Sequence, residues 1–256
     1  MIDIKTWMNN VKYYDEPDNT GERLLVYGPS GSGKTTLLGT FPSPFVIDID
    51  HGGKTLSAHH IPFITIPQER GAIGLVRKIL LDFKDRQGIF APSQPLADRK
   101  TIGFDGYSAL ADIVIWELTR MPSGDKSKTS GIYTEATGGG FKAEMDHWGA
   151  LRSYLLEMTN ILEDIAYRGF HVVATATAFI KENEQVRQIQ GLPEVMGGFK
   201  DVILRKFDYV LYLEYENDKY LGYTKGKGLY KAKMRGAFPP IIEDPSYEKL
   251  FKGGSK

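Results

Sequence analysis

Residues 28–35 read Gly-Pro-Ser-Gly-Ser-Gly-Lys-Thr and match the pattern G-x-x-x-x-G-K-[ST] at every position. Glycines in such a loop let successive backbone N–H groups turn inward toward the oxygens of a phosphate group. Lys34 can reach the terminal phosphates, and the Thr35 hydroxyl is placed to hold Mg²⁺. Because the pattern works only between a strand and a helix, it constrains the fold more than any other feature of this sequence.

The residues on either side supply that context. Residues 23–27 form a short apolar run typical of a buried strand, and residues 36–41 continue a helix that ends near Pro42. The amino end of that helix adds its dipole and free N–H groups to phosphate binding. The alternative is a glycine-rich turn that binds nothing. We expect the phosphates of ATP to be bound by Gly28, Pro29, Ser30, Gly31, Ser32, Gly33, Lys34, Thr35 and Thr36.

Composition excludes several classes of protein. Lysine plus arginine and aspartate plus glutamate number 32 each, so the net charge of zero does not indicate a globally basic nucleic-acid binder. The absence of cysteine excludes disulfides, thiolate metal sites and cysteine nucleophiles. The sequence begins without a long apolar run, so we expect no signal peptide, no membrane anchor and a cytoplasmic location, which for a phage-encoded protein is the host cytoplasm.

Strand and helix patterns alternate along the chain. Strands are predicted at 23–27, 44–50, 61–66, 100–105, 170–176 and 207–214, and amphipathic helices at 72–86, 107–120 and 144–168. This alternation predicts an α/β fold with a mostly parallel central sheet flanked by helices. We expect a lead segment over residues 1–21, one core over 22–243 and a tail over 244–256 that forms a surface helix or a frayed end.

Two strand ends carry aspartates suited to hydrolysis. Asp105 ends the run Thr-Ile-Gly-Phe-Asp and has the form of the carboxylate that holds Mg²⁺ together with Thr35, unless it only caps the next helix. Gly106 follows it, whereas enzymes of the AAA+ type usually have a glutamate base there, which argues against that class. Asp50 at the tip of the second strand is the predicted base, with Asp48 on the same strand face as the reserve. A plain loop carboxylate is the alternative for Asp50.

These motifs occur in the order of the RecA core, and the chain resembles RecA-like P-loop NTPases over most of residues 22–240. The run Val-Ile-Asp-Ile-Asp-His-Gly-Gly at 46–53 makes it look closest to phage-encoded RecA-like ATPases linked to single-strand annealing and recombination. In that family a polar residue at the end of the strand after the long helix senses the γ-phosphate. Thr175 and Thr177 are the matching positions, and Thr177 is nearer the tip; an ordinary strand threonine is the alternative.

The resemblance also implies a DNA path. Two irregular segments, 121–142 and 180–200, correspond to the loops that line DNA in RecA-like filaments, although solvated loops fit the sequence nearly as well. We expect phosphate contacts or base stacking from Lys126, Lys128, Tyr133, Phe141, Lys142, Lys181, Arg187, Phe199 and Lys200. Single-stranded DNA is therefore the predicted partner, together with a single-strand annealing or single-strand-binding protein.

A basic run over residues 225–236 has five lysines or arginines and no acid. Its simple interpretation is a C-terminal β-hairpin with a solvated face. A sharper interpretation uses the two-residue spacing, which places Lys231, Lys233 and Arg235 on one strand face. The run resembles the hairpin of DnaB-type hexameric helicases, in which a lysine and an arginine reach the γ-phosphate held by the neighbouring subunit. Lys233 and Arg235 are the matching residues here, and direct DNA contact or a plain surface are the alternatives.

The sequence thus predicts a RecA-like ATPase that uses ATP and Mg²⁺ in DNA recombination or single-strand annealing. The predicted catalytic residues are Lys34, Asp50, Asp105, Thr177, Lys233 and Arg235, and ATP is expected between subunits of a ring or filament. A DnaB-like motor or helicase loader is the first rival. The second is a nucleotide-gated scaffold with little turnover, because Asp50 stands where RecA-type enzymes usually have the longer glutamate.

Overall fold

The computed structural model describes residues 19–120, 132–134, 140–183, 188–195 and 199–252. Five α-helices and eleven strands lie within these ranges. The helices are α1 (Lys34–Gly39), α2 (Ala72–Asp85), α3 (Tyr107–Arg120), α4 (Met145–Tyr167) and α5 (Phe199–Lys206). The strands are β1 (Arg23–Gly28), β2 (Pro44–Asp48), β3 (Phe63–Thr65), β4 (Thr101–Asp105), β5 (Ile132–Thr134), β6 (Gly140–Lys142), β7 (His171–Asn183), β8 (Gln188–Pro193), β9 (Tyr209–Glu216), β10 (Lys219–Tyr223) and β11 (Ile241–Glu243).

The central sheet runs in the order β11-β10-β9-β1-β7-β4-β2-β3, and β8 pairs with β7 outside that path. The six strands from β9 to β3 are parallel, whereas β10 and β11 are antiparallel additions at one edge. The prediction of an α/β fold with a mostly parallel sheet is confirmed. Parallel order also brings the carboxyl ends of β1, β2, β4 and β7 to one edge, where ligands of such sheets bind.

Helices cover both faces of the sheet because side chains alternate along each strand. Leu25 and Tyr27 of β1 point into one apolar cluster with α2, α3 and α4. Leu24 and Val26 point into the other cluster with α1 and Leu250 of the tail. Each central strand is therefore buried on both sides, which explains its continuous apolar sequence.

The C-terminal β-hairpin lies earlier in the chain than the sequence suggests. It joins β9 and β10 through Asn217 and Asp218, whose φ angles are 52° and 59°. Two residues with positive φ form the turn that matches the natural twist of a hairpin, and asparagine and aspartate tolerate it. The prediction of a strand over the basic run is wrong, because this run makes only isolated bridges: Lys233 to Val210, Tyr230 to Gly191, and Lys227 to Tyr230.

The described part of the tail is packed onto the core. Leu250 is 1% exposed, and the Tyr247 backbone N–H donates to the Thr40 hydroxyl at 2.9 Å. The Tyr247 ring also lies 5.0 Å from that of Phe41. Glu248–Lys252 form a short π-helix with Glu248, Lys249 and Lys252 exposed, so the expectation of a surface helix is confirmed there, and the buried Leu250 packs this helix onto the core.

Both segments predicted to be irregular contain paired strands. β5 pairs with β6, and the outer part of β7 pairs with β8. Phe199 was expected to stack on bases, but its side chain is 1% exposed and stacks on Tyr107, so that expectation is wrong. Lys126, Lys128 and Arg187 lie outside the described residues, as do the side chains of Tyr133, Phe141, Lys142, Lys181 and Lys200.

Among the helices described here, none combines the length and the apolar character that crossing a bilayer demands.

Candidate functional site

The glycine-rich loop leaves the carboxyl end of β1 and enters α1, as its pattern requires. Gly31 and Gly33 have φ angles of 78° and 87°, a backbone region that residues with side chains rarely adopt. At Gly28 a β-carbon would lie 1.9 Å from the Leu213 carbonyl oxygen of β9. The glycines are thus required by the turn and by close packing on the neighbouring strand.

Lys34 points back across its own loop. Its ammonium donates to the carbonyl oxygens of Gly28 at 3.0 Å and Pro29 at 2.7 Å. Burial lowers the pKa of Lys34, and the nearby carboxylates of Asp105 and Asp50 act against that shift. The ammonium is therefore held at the mouth of the loop, where it can exchange carbonyl partners for phosphate oxygens.

Asp105 and Thr35 form an oxygen pair at the end of β4. The Thr35 hydroxyl donates to Asp105 Oδ2 at 2.8 Å, and the Thr175 hydroxyl donates to Oδ1 at 2.5 Å. Thr175 in turn accepts from the Gly106 N–H at 3.0 Å. Burial raises the pKa of Asp105, and these two hydroxyls oppose the shift. The carboxylate is thereby oriented from one side and offers Oδ2, with Thr35, to the cleft.

Asp50 occupies the space in which a side chain at position 106 would lie. Gly106 has a φ of 106°, and a β-carbon there would lie 2.7 Å from Asp50 Cγ. The Asp50 N–H also bonds the Asp105 carbonyl oxygen at 3.3 Å, which holds the two aspartates together. Burial raises the pKa of the Asp50 carboxyl, and the charge of Asp105 raises it further. The carboxylate absent after Asp105 in the sequence is supplied here from the turn that follows the neighbouring strand β2.

Asp48 has a different role from the predicted reserve base. Its side chain is 2% exposed and accepts from the N–H groups of Gly52 at 2.9 Å and Gly53 at 3.0 Å. β2 also ends at Asp48, so Asp50 lies in the following turn rather than on the strand face of Asp48. The reserve assignment is wrong, because both Asp48 oxygens are committed to the backbone of the turn that places Asp50.

Lys34, Thr35, Asp50 and Asp105 line one cleft of about 480 Å³, a size suited to a nucleotide. The lining consists of Ser30, Gly31, Gly33, Lys34, Thr35, Thr36, Asp50, Gly52, Thr55, Asp105, Thr177 and Tyr220. Pro29 and Ser32 instead line a neighbouring cleft, and Gly28 is buried at the end of β1. Six of the nine predicted phosphate-loop residues therefore meet the two predicted aspartates and Thr177 in a single site.

The donor set fits a nucleoside triphosphate with Mg²⁺. Thr35 and Asp105 offer the hydroxyl and carboxylate oxygens that Mg²⁺ prefers, and Lys34 with the loop N–H groups offers donors to phosphate. Within the described residues, the buried Ser32 hydroxyl has no hydrogen-bond partner, so the loop keeps an unused polar group. Thr35 and Asp105 would hold a bound Mg²⁺, which would supply positive charge against the negative charge that develops during phosphoryl transfer.

The sequence over residues 20–236 matches a protein-family model described as an AAA domain. This chain belongs to that family. Since the match covers most of the 256 residues, it identifies the chain as an AAA, P-loop ATPase-like protein with a nucleotide-binding core. A search of curated proteins returned no match.

Membership of the AAA-domain family corrects one argument from the sequence. Gly106 after Asp105 was interpreted as evidence against the AAA+ class. A chain with glycine at that position nevertheless matches a family described as AAA. The structure supplies the reason that the glycine is tolerated: Asp50 fills the adjoining space. Absence of a carboxylate at one sequence position therefore does not exclude a carboxylate at that place in the site.

Thr177 of the AAA-domain core lies in the cleft, as predicted. Its N–H donates to the Ser108 hydroxyl at 2.9 Å. This hydrogen bond connects β7 at Thr177 to the first turn of α3. Thr175 lies two residues below it, buried against Asp105. The two threonines therefore have different positions: Thr175 orients the Asp105 carboxylate, and Thr177 lines the cleft.

Lys233 and Arg235 lie at the opposite end of the sheet from the phosphate loop. Arg235 pairs with Asp208 at 2.7 Å, and the Lys233 ammonium donates to the Leu204 carbonyl oxygen at 3.0 Å. Asp208 precedes β9 and faces Arg23 at the start of β1. Since β1 is six residues long, about 17 Å of strand separates this end from the loop. In this conformation neither residue can complete the site of its own chain.

Tyr220 is a member of the cleft that the sequence analysis missed. It lies on β10, and a β-carbon at Gly33 would approach its ring to 2.6 Å. The Asn217–Asp218 turn signal could have identified the hairpin, but no local pattern indicates that its second strand faces the phosphate loop.

Proposed function

We propose that this chain binds and hydrolyses ATP at subunit interfaces and acts in DNA recombination or single-strand annealing, with single-stranded DNA as its partner. The observation that carries the catalytic part is the packing of Asp50 against Gly106, beside Asp105. This placement puts a second carboxylate in the cleft with Lys34 and Thr35. One carboxylate can then hold the metal while the other polarises the attacking water.

The DNA part of the proposal is supported by the resemblance to RecA-like ATPases and by the position of the β7–β8 hairpin. β7 passes Thr177 in the cleft and continues into the pairing of residues 178–183 with β8. A nucleotide contact at Thr177 is therefore continuous, through one strand, with the segment proposed to touch DNA. Such a direct connection is a physical route by which DNA binding changes turnover.

The test measures steady-state ATP hydrolysis with and without an excess of a homopolymeric single-stranded oligonucleotide. We expect turnover to rise on adding the single strand, and to rise less with a duplex of the same length. Equal rates in all three conditions would count against a recombination or annealing role. ATP binding without measurable turnover, with or without DNA, would favour the nucleotide-gated scaffold, a rival that the short side chain of Asp50 keeps open.

The proposal that Arg235 acts on the site of a neighbouring subunit gives a separate prediction. Arg235→Ala should lower turnover by a factor of about 100 or more, because an arginine directed at the transferring phosphate stabilises its charge. Nucleotide affinity of the monomer should stay within about twofold. The fold should persist, since Asp208 keeps both hydrogen bonds from Arg23.

Mixing two inactive variants makes this test decisive. Arg235→Ala keeps an intact phosphate loop, and Lys34→Ala keeps an intact Arg235. In head-to-tail oligomers, random mixing should restore roughly a quarter of the wild-type sites. Lys231→Ala, an exposed basic residue of the same run, is the matched control and should keep normal turnover. A large loss of monomer affinity in Arg235→Ala, or no recovery on mixing, would contradict action between subunits.

A further inference from the structure

Tyr220 stands at the far end of the cleft from the two aspartates. The sheet order places β10 two strands to one side of β1, and β4 two strands to the other. At about 4.8 Å per strand, roughly 19 Å separates β10 from β4 across the phosphate loop. If Asp105 and Asp50 mark the γ-phosphate end, Tyr220 marks the end at which the sugar and base emerge.

The Tyr220 ring is presented to the cleft by several contacts. A β-carbon built on Gly33 would lie 2.6–3.1 Å from three atoms of the ring, so the ring packs directly on the loop backbone. The ring of Tyr215 supports it from the other strand of the hairpin at a centroid distance of 5.0 Å. Among the described residues that line this cleft, Tyr220 is the single aromatic one.

The backbone of Tyr220 is also held. Its N–H donates to Asp244 Oδ1 at 3.1 Å, and its carbonyl oxygen accepts from the Asp244 N–H at 2.7 Å. Asp244 has a φ of 45° and follows β11, which pairs with β10. The platform is therefore braced from both sides, by Tyr215 and by the start of the C-terminal segment.

From these contacts we infer that Tyr220 is the stacking platform for the base of the bound nucleotide. This inference rests on the proposed function, because it needs a triphosphate in the cleft. Stacking on an aromatic ring depends on the area of the base more than on its edge groups. The cleft therefore takes purine nucleoside triphosphates in preference to pyrimidine ones, and Tyr220 alone discriminates weakly between adenine and guanine.

The test compares ATP with inorganic tripolyphosphate, which has the phosphates but no base. Dissociation constants are measured by calorimetry for the wild type and for Tyr220→Leu, Tyr220→Ala and Tyr220→Phe. We expect the leucine and alanine variants to weaken ATP binding about 5- to 150-fold and CTP binding less. Tripolyphosphate binding should change less than twofold, and Tyr220→Phe, which keeps the ring, should bind ATP as the wild type does.

Two controls separate stacking from folding. Tyr220→Leu keeps most of the side-chain volume against Gly33, and its melting temperature should stay near that of the wild type. Tyr215→Leu removes the supporting ring, which lines the neighbouring cleft, and should weaken ATP binding much less than Tyr220→Leu does.

The remaining outcomes contradict either the stacking inference or the proposed function. If tripolyphosphate weakens as much as ATP in Tyr220→Leu, Tyr220 supports the loop and the stacking inference is wrong. The same holds if ATP affinity does not change in that variant. If the wild type binds neither ATP nor tripolyphosphate, the phosphate loop itself does not work and the proposed function fails with it.

Discussion

Lys34→Ala is expected to reduce ATP turnover at least about 100-fold, to the level of background hydrolysis. The reason is electrostatic: the ammonium is the positive charge of the loop, half-buried beside Asp105 and Asp50. In its absence, the charge that develops on the transferring phosphate meets two carboxylates without a compensating cation from the loop. Steady-state phosphate release with saturating ATP and Mg²⁺ measures the effect.

A second substitution distinguishes the loss of the Lys34 charge from the loss of its side-chain packing. Lys34 also bonds the carbonyl oxygens of Gly28 and Pro29, so alanine removes these two hydrogen bonds together with the apolar stem of the side chain. Lys34→Met keeps the apolar stem of the side chain and removes only the ammonium, and we expect it to be as inactive as alanine. Lys78→Ala on α2, an exposed lysine paired with Asp82, is the control and should keep wild-type turnover.

A normal rate in Lys34→Met would mean that hydrolysis takes place elsewhere on the protein or in a contaminant. A melting temperature that falls by many degrees in alanine but not in methionine would assign part of the alanine effect to the lost apolar stem, because both variants lack the two hydrogen bonds to the loop carbonyls.

Asp50→Asn is expected to lower turnover about 100-fold or more while ATP binding stays within a few-fold of wild type. Asparagine keeps the shape of the side chain beside Gly106 but cannot take a proton from water. Asp112→Asn, an exposed carboxylate on α3, is the matched control and should have normal turnover. Wild-type turnover in Asp50→Asn would exclude Asp50 as the base.

The pH profile gives a second measurement of the same role. Burial and the charge of Asp105 raise the pKa of Asp50, so its carboxyl takes up a proton at a higher pH than an ordinary aspartate. The proton-accepting form is the ionised one, so turnover should fall as the pH drops through this raised pKa. In Asp50→Asn that acid limb should disappear from the residual rate.

Gly106→Ala tests whether Asp50 needs the space that glycine leaves empty at position 106. Its β-carbon would lie 2.7 Å from Asp50 Cγ, and the positive φ adds backbone strain. We therefore expect this variant to displace Asp50 and to lose turnover as Asp50→Asn does. Tripolyphosphate binding should be retained, because the phosphate loop is not touched.

The fold was largely predictable because its signals are local. Strand β1, the glycine loop and α1 follow from consecutive residues, and alternation of apolar runs with amphipathic helices predicts the parallel sheet. Local signals fail where a partner lies far along the chain. The start of α2 has Gly71 with no side-chain cap, and the buried Glu117 of α3 accepts its N–H groups at Gly71 and Ile73 instead.

The candidate site was predictable in part for the same reason. Lys34, Thr35 and Asp105 stand in a motif or at a strand end, and each lies in the cleft. Asp48 and Asp50 look alike in the sequence, and only their surroundings separate them: Asp48 is committed to the N–H groups of a turn, whereas Asp50 faces the cleft. Periodicity cannot show which of two alternate residues finds backbone partners.

By itself, the sequence determined that this chain is an α/β protein with a phosphate-binding loop between its first strand and first helix. Those features depend on residues adjacent in the chain and on the side-chain period of helices and strands. Only the tertiary structure decided that Asp50 takes the place of a side chain at position 106, that Tyr220 closes the cleft, and that Arg235 faces away from it. These placements depend on strand order, because strand order brings residues that are distant in the sequence to one edge of the sheet.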